Sequence, residues 1–248
     1  MRQAMDIASI QGLGWCSVKN ITHAGAVGFY AVQASMQRML GIVMSASGPL
    51  MAYHGARVSG VSTNPISIAV PKSGDPILLD MSTSTVALGK IMHARDAGQP
   101  IPEGWAIDDA GEPATEPSKV KTLTPLGGPK GSGLSLMIEV LASVLVGNPV
   151  ISSALAGGKA AMNGIALAID IERFGNPDLF AAQILELSEA LKALPMAKGT
   201  DEILLPGERG FRLAETRARD GTPLTEGTAT RLRDLAERLN VTTPDGLK

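Results

Sequence analysis

Thirteen residues, Leu78-Leu79-Asp80-Met81-Ser82-Thr83-Ser84-Thr85-Val86-Ala87-Leu88-Gly89-Lys90, constrain the fold of this chain more than any others. The apolar run over residues 76–79 reads as a strand, and it stops at an acid. Four hydroxyl residues follow, after which Val86, Leu88, Ile91 and Met92 form a helical pattern that closes near Gly98. A strand feeding a helix through a hydroxyl-rich junction argues for an α/β fold rather than an all-α or all-β one. The junction also gathers free amides, hydroxyls and positive dipole at one point, which suits the anionic part of a bound cofactor. The commoner use of such residues is an ordinary helix cap, and the segment alone leaves both readings open.

Helical and extended signals alternate along the rest of the chain. Residues 1–9 read as the tail of a helix without a cap, 15–18 as a strand and 25–40 as a helix. Residues 41–44, 66–70 and 165–171 read as strands, the last of them buried. Residues 131–146 form an apolar helical pattern and 178–194 an amphipathic one, with charged helices over 207–219 and 225–239. Residues 98–117 are a polar loop in which Asp109-Ala110-Gly111 marks a turn.

At 248 residues and 44% hydrophobic content the chain buries a core as one large domain or two lobes. A net charge of −2 and 3% aromatic residues give no reason to expect nucleic acid or an anionic membrane as partner. The longest apolar helical stretch, 134–146, contains Glu139 and is too short to span a bilayer. One cysteine, Cys16, excludes an intrachain disulfide and fits a reducing cytoplasm, and residues 1–6 do not read as a signal peptide. The Asn-x-Thr triplets at Asn20 and Asn240 are then chance.

Several familiar motifs are missing. Gly12-Leu13-Gly14 follows a helix and precedes a strand, the wrong polarity for a dinucleotide fingerprint. Gly127-Gly128-Pro129-Lys130-Gly131-Ser132-Gly133 lacks the spacing of a nucleotide phosphate loop, yet it brings backbone amides and one cation to a helix start. It reads as an anion site or as a tight turn with a solvated lysine. No Gly-x-Ser-x-Gly elbow supports a serine hydrolase, and no His, Asp or Glu spacing suggests a metal site. Of the three histidines, His93 reads as solvated and His54 as a loop residue able to line a pocket. His23 stands between a strand and a glycine-spaced helix, where imidazole can move a proton near neutral pH.

Taken in order, these segments resemble the malate/L-lactate dehydrogenase family of non-Rossmann type, which includes ureidoglycolate and sulfolactate dehydrogenases and cyclic imino-acid reductases. The resemblance is carried by residues 20–30, Thr63-Asn64-Pro65, Leu79-Asp80-Met81-Ser82-Thr83-Ser84 with Gly89-Lys90, 101–117, 123–139 and Leu205-Pro206-Gly207-Glu208-Arg209. It implies an α/β fold with a mixed sheet, flanking helices and an atypical nucleotide-binding region, within a domain spanning 1–248 whose nucleotide-binding lobe covers roughly 45–170. It implies reversible hydride transfer between NAD or NADP and C2 of a small 2-hydroxy or 2-oxo acid, or a cyclic imine, by a cytoplasmic homodimer. The family's acid–base histidine falls on His23. Its cofactor contacts fall on Ser47, on Met81, Ser82 and Thr83, and on Lys130 and Gly131, with residues 206–209 as a further candidate.

Two positions depart from the family pattern: Ser62 replaces the usual glycine before Thr-Asn-Pro, and His54 replaces a bulkier or aromatic residue. Family members also carry an upstream helical segment with a Ser-His-Gly motif and an arginine that grips the substrate carboxylate. This chain is expected to begin downstream of that segment, which would account for its capless start. A second expectation follows, that the chain is a non-catalytic cofactor-binding or oligomerising remnant.

Overall fold

The computed structural model describes residues 1–159, 161–244 and 246. The chain divides into two compact units, Met1–Glu208 and Arg209–Lys248. The first unit opens with α1 (Arg2–Gln11), β1 (Leu13–Ile21), α2 (Gly28–Ser35) and β2 (Met39–Ala46). It continues through β3 (Met51–Ala52), β4 (Ser59–Val61), β5 (Ile66–Val70), β6 (Ile77–Met81), α3 (Leu88–Asp96), β7 (Ala106–Ile107) and β8 (Thr122–Leu123). α4 (Pro129–Glu139), α5 (Ile151–Leu155), β9 (Met162–Asp170) and α6 (Pro177–Lys192) complete it.

Five strands form the main sheet in the order β1-β9-β2-β5-β6, and every neighbouring pair is antiparallel. A four-stranded sheet, β4-β3-β8-β7, carries one parallel pair, β3 with β8. The architecture is the expected mixed α/β one with flanking helices, and no parallel doubly wound sheet is present among the described residues.

The main sheet is covered on both faces because its central strands alternate small and large apolar residues on opposite sides. Val43, Ala69, Ala166 and Ala168 pack beneath Ala4 and Ala8 of α1 and Ala31 of α2. Alanines on both sides let the helices lie close to the strands. At Gly41 the approach is closer still, since a Cβ there would run into the carbonyl of Ala31. Enlarging Ala31 would overpack this layer at a cost of about 1–3 kcal/mol. The opposite face packs Ala46 and Ile165 against Ala142, with Trp15, Met44 and Leu167 around them. The smaller sheet has its own core, in which Met51, Val61 and Leu123 meet Val86 and Ile91.

Two helical patterns end earlier than the periodicity suggests. The one over 25–40 is helical only in α2; Arg38 turns the chain with φ 59°, and Met39 and Leu40 pair with Asp170 and Ile169. Tertiary strand pairing outweighs local helical preference there. The pattern over 131–146 divides into α4 and a π-helical turn, Val140–Val144, where Leu145 N donates to the Val140 carbonyl at 2.9 Å. The buried Glu139 carboxylate lies at that division and accepts from Val150 N and Ile151 N at 2.7 and 2.9 Å.

α6 follows its sequence signals closely. Asn176 caps it by accepting from Asp178 N and Leu179 N, and Pro177 occupies the first turn. Such a cap contributes about 1 kcal/mol. α7 (Glu208–Asp220) leads into the second unit, which also holds α8 (Glu226–Arg238), capped by Thr225; neither helix has a buried residue. Among the described residues no helix is long and apolar enough to cross a membrane.

Candidate active site

β1 loses register with β9 between Val18 and Ile21, at Asn20, whose φ is 57°. The chain then leaves the sheet in a loop that carries His23 before α2 begins. Gly25, with φ 69°, folds the loop back so that its amide donates to His23 Nδ1 at 2.8 Å. With that lone pair engaged, a neutral imidazole carries its proton on Nε2. His23 lines a cleft of about 290 Å³ together with Tyr30, Val43, Ser45 and Ile165.

Ser45 and Ser47 stand two residues apart around the end of β2, and they link this cleft to a polar cluster. The Ser47 and Ser62 hydroxyls are 2.6 Å apart, and Ser47 N donates to Asn64 Oδ1 at 3.1 Å. Asn64, fully buried, donates in turn to the Ser135 carbonyl of α4 at 3.0 Å, and Ser135 Oγ donates to the Ser62 carbonyl at 2.7 Å. Burial of these groups is tolerable because they satisfy one another. Ser62, where the resemblance expects glycine, is therefore the hydroxyl partner of Ser47.

The hydroxyl run after β6 caps no helix. Ala87 precedes α3 without a side-chain cap bond, and Ser84 Oγ donates instead to the Val86 carbonyl at 2.7 Å. Residues 83–85 zip onto a neighbouring segment. Thr83 N donates to the Thr63 carbonyl, Leu126 N to the Thr83 carbonyl and Thr85 N to the Thr124 carbonyl, at 3.0, 3.0 and 2.9 Å. Met81 closes β6 opposite Ile66. Thr83 Oγ1 is buried and has no hydrogen-bond partner among the described residues.

The glycine-rich turn holds fewer free amides than its sequence suggests. Gly128, Lys130, Gly131 and Ser132 donate to the carbonyls of Pro125, Gly127, Leu126 and Gly128. The turn satisfies itself and leaves the exposed Lys130 ammonium, unpartnered among the described residues, as its offering to an anion. Gly131 has a different task. A Cβ there would strike the Thr83 carbonyl and lie 2.5 Å from Leu126 N, so glycine alone lets α4 begin against the hydroxyl loop. His54 is exposed and covers this turn: a Cβ at Gly128 would sit 3.3 Å from its Nδ1.

Asp80 is exposed at the edge of β6, and its Oδ2 accepts from Gly28 N, the first residue of α2, at 3.0 Å. Partial burial of the carboxyl pushes its pKa above the ordinary 3.8, against a weaker downward pull from the Gly28 bond. Pro206, from the 206–209 segment, accepts from Leu78 N of β6 at 2.9 Å. His93 is exposed in the last turn of α3. Among the described residues no group of three or more His, Cys, Asp or Glu side chains could hold a metal ion.

The structure thus joins Ser47 with Ser62 and Asn64, and Thr83 with the glycine turn, and sets His23 on a cleft that Ser45 also lines. Sequence reading missed Ser135, Asn148 and Asn163. Asn163 was detectable as a polar residue inside the apolar run of β9.

A sequence model of malate/L-lactate dehydrogenase matches residues 1–233. The chain belongs to that family. The malate dehydrogenase of Pyrococcus abyssi is 35% identical over 253 residues, covering 97% of this chain and 70% of that relative. A ureidoglycolate dehydrogenase (NAD(+)) of Escherichia coli O157:H7 is 34% identical over 214 residues, covering 84% of this chain and 61% of that relative. A solved structure of sulfolactate dehydrogenase from Methanocaldococcus jannaschii matches with TM-score 0.83 and 32% identity, covering 97% of this chain and 71% of that one. The expected dehydrogenase class is that of the family.

Proposed function

We propose that this malate/L-lactate dehydrogenase family member moves a hydride between C2 of a small 2-hydroxy acid and NAD or NADP, with His23 as its acid–base residue. The observation that carries this reading is the placement of His23 on a cleft that shares Ser45 with the strand leading to Ser47. Malate, ureidoglycolate and sulfolactate, after which the relatives are named, share a hydroxyl on the carbon next to a carboxylate.

The donor set fits a dinucleotide. Lys130 and Thr83 Oγ1, both without a side-chain partner among the described residues, and the hydroxyls of Ser47 and Ser82 match an anionic, amide-bearing ligand. Met81 and Gly131 shape the approach to it, and the lobe over 45–170 holds these residues. When bound, the nicotinamide supplies the acceptor or donor of the hydride.

His23 handles the proton. In oxidation it takes the proton of the substrate hydroxyl while the C2–H bond electrons leave as hydride, giving a 2-oxo acid and imidazolium. An Nε2–H imidazole has its one lone pair on Nδ1, so accepting that proton requires the Gly25 hydrogen bond to open. In reduction the imidazolium returns the proton to the forming alkoxide. The reading includes a cytoplasmic homodimer, as the family resemblance implies, and sedimentation velocity tests the assembly.

The experiment is a fluorescence titration with NADH and then NADPH, followed by turnover of 2-oxo acids and cyclic imino acids by the natural chain and His23→Ala. Saturable binding with turnover lost only in the variant is expected. Turnover unchanged in His23→Ala would overturn the role of His23. Cofactor binding without turnover of any substrate would favour the non-catalytic reading.

A further inference from the structure

We propose that Asn20, Asn148 and Asn163 are positioning residues that set the face on which His23 stands. The proposal rests on the acid–base reading of His23 above. Asn163 is fully buried in β9, and among the described residues every hydrogen bond of its side-chain amide goes to the other two. Its Oδ1 accepts from Asn20 N at 3.1 Å and from Asn148 Nδ2 at 2.9 Å, while its Nδ2 donates to the Asn148 carbonyl at 2.9 Å. Asn148 Nδ2 also donates to Asn20 Oδ1 at 3.0 Å. One cluster therefore ties together β1, β9 and the loop after the π turn.

The bonds fall at a place where register matters. β1 pairs with β9 in step from Leu13 opposite Ile169 to Val18 opposite Gly164, then resumes at Ile21 opposite Met162. β1 spends one more residue than β9 across that gap, which makes a bulge. A one-residue slip reverses the face of everything after it, so the bulge decides to which side the following loop is delivered. Asn20 sits in the bulge with a left-handed backbone, a conformation that asparagine tolerates better than most residues. Its amide and its side chain are both held by the cluster, and His23 follows three residues later.

Two further contacts connect the cluster to the cleft. Ser45, which lines the cleft with His23, donates its hydroxyl to the Asn163 carbonyl at 3.1 Å. Asn148 reaches the cluster because the π turn ends with Asn148 N donating to the Ser143 carbonyl at 3.0 Å, and because Glu139 anchors Val150 and Ile151 just beyond. The Asn163 amide is explained by the bulge it holds, since burying it without these partners would be unfavourable.

The test compares Asn148→Ala, Asn20→Ala, Asn20→Asp and His23→Ala with the natural chain. Asn20 is exposed and Asn148 half-buried, so these changes leave the packed core untouched. Readouts are the 15N spectrum of 15N-histidine-labelled protein and the reduction of oxaloacetate and pyruvate with NADH and NADPH. Asn148→Ala and Asn20→Ala are expected to lower kcat about 10- to 100-fold through misplacement of the imidazole. The KM for the nicotinamide should stay within about twofold, since cofactor contacts are untouched. Their His23 signals should move away from the Nε2–H pattern, while Asn20→Asp, which keeps the acceptor, should restore both readouts. Natural kcat and unchanged His23 signals in both alanine variants would overturn the proposal, as would a kcat loss accompanied by an equal loss of cofactor affinity. Retained turnover in His23→Ala would instead sink the acid–base reading itself, and the 15N spectra would still report whether the cluster holds His23.

Discussion

Gly25 N donates to His23 Nδ1 at 2.8 Å, so the imidazole is held by the loop that carries it. A backbone amide cannot reverse its role, and a ring nitrogen that accepts from it cannot carry a proton at the same time. The free protein is therefore expected to hold neutral His23 as the Nε2–H tautomer. Solution 15N spectra of histidine-labelled protein above neutral pH check this, with a His23→Ala sample to assign the signal. A dominant Nδ1–H signal would show that the turn does not persist in solution.

Gly131 makes the second prediction, because α4 meets the hydroxyl loop there without room for a side chain. Gly131→Ala places a methyl against the Thr83 carbonyl and both backbone polar atoms of Leu126, none of which can rotate away. Overpacking of this kind costs about 1–3 kcal/mol. A lower urea midpoint with weakened NADH fluorescence titration is expected. Gly133, also in α4, whose added Cβ would meet nothing within 4 Å, is the control: Gly133→Ala should leave the titration near the natural value and hold or raise the urea midpoint, because alanine favours a helix over glycine by up to about 1 kcal/mol.

The contrast between those two glycines marks how far the sequence can be read. Periodicity located β5, α6, α7 and α8, because each carries an unbroken pattern and recognisable ends, such as Asn176-Pro177 before α6. It overran α2, since residues 36–40 have no local stop signal and their turn at Arg38 is imposed by pairing with β9. The hydroxyls 82–85 and the glycine turn were visible as separate features. Their union through Thr83, Leu126 and Gly131 is a long-range contact that no local pattern encodes. The same holds for the internal bonding of the turn's amides to the carbonyls of Pro125, Gly127, Leu126 and Gly128. Ser135, Asn148 and Asn163 sit in helical, loop and strand contexts whose partners lie far off in sequence, so only the fold exposes their connection.

Lys130 carries the third prediction. Its ammonium is exposed and has no ion-pair partner among the described residues, so replacing it should not disturb folding. Lys130→Ala is expected to weaken nicotinamide cofactor binding about tenfold, or about 1.4 kcal/mol, and to flatten its dependence on salt. Lys130→Arg keeps the charge and should recover most of the affinity. Titrations at low and high ionic strength decide the matter; an alanine variant that binds like the natural chain at both would remove Lys130 from the site.

Asp80 supplies the last prediction, and its sign follows from the direction of its pKa. Burial of one side of the carboxyl against the start of α2 disfavours the charged form more than the Gly28 hydrogen bond favours it, so the folded pKa lies above 3.8. The fold then binds this proton more tightly than the unfolded chain does. Its contribution to stability is fully present below 3.8 and is lost as pH rises through the folded value. At neutral pH the group is charged and partly desolvated, which is a net burden on the fold. Asp80→Asn removes the charge while keeping an oxygen that can accept from Gly28 N, so it should melt at a higher temperature than the natural chain at pH 7. That advantage should shrink as pH falls toward 3.8. Gly28→Ala is the converse experiment: its Cβ would lie 2.6 Å from Asp80 Oδ2 and force the carboxylate outward. Water would then solvate the charge, and the pH dependence attributable to Asp80 should fade. Thermal melts of the three proteins from pH 3 to 7 separate the outcomes. A lower melting temperature for Asp80→Asn at pH 7, with a deficit that fades as pH falls toward 3.8, would mean that the charge on the α2 N-terminus outweighs its desolvation.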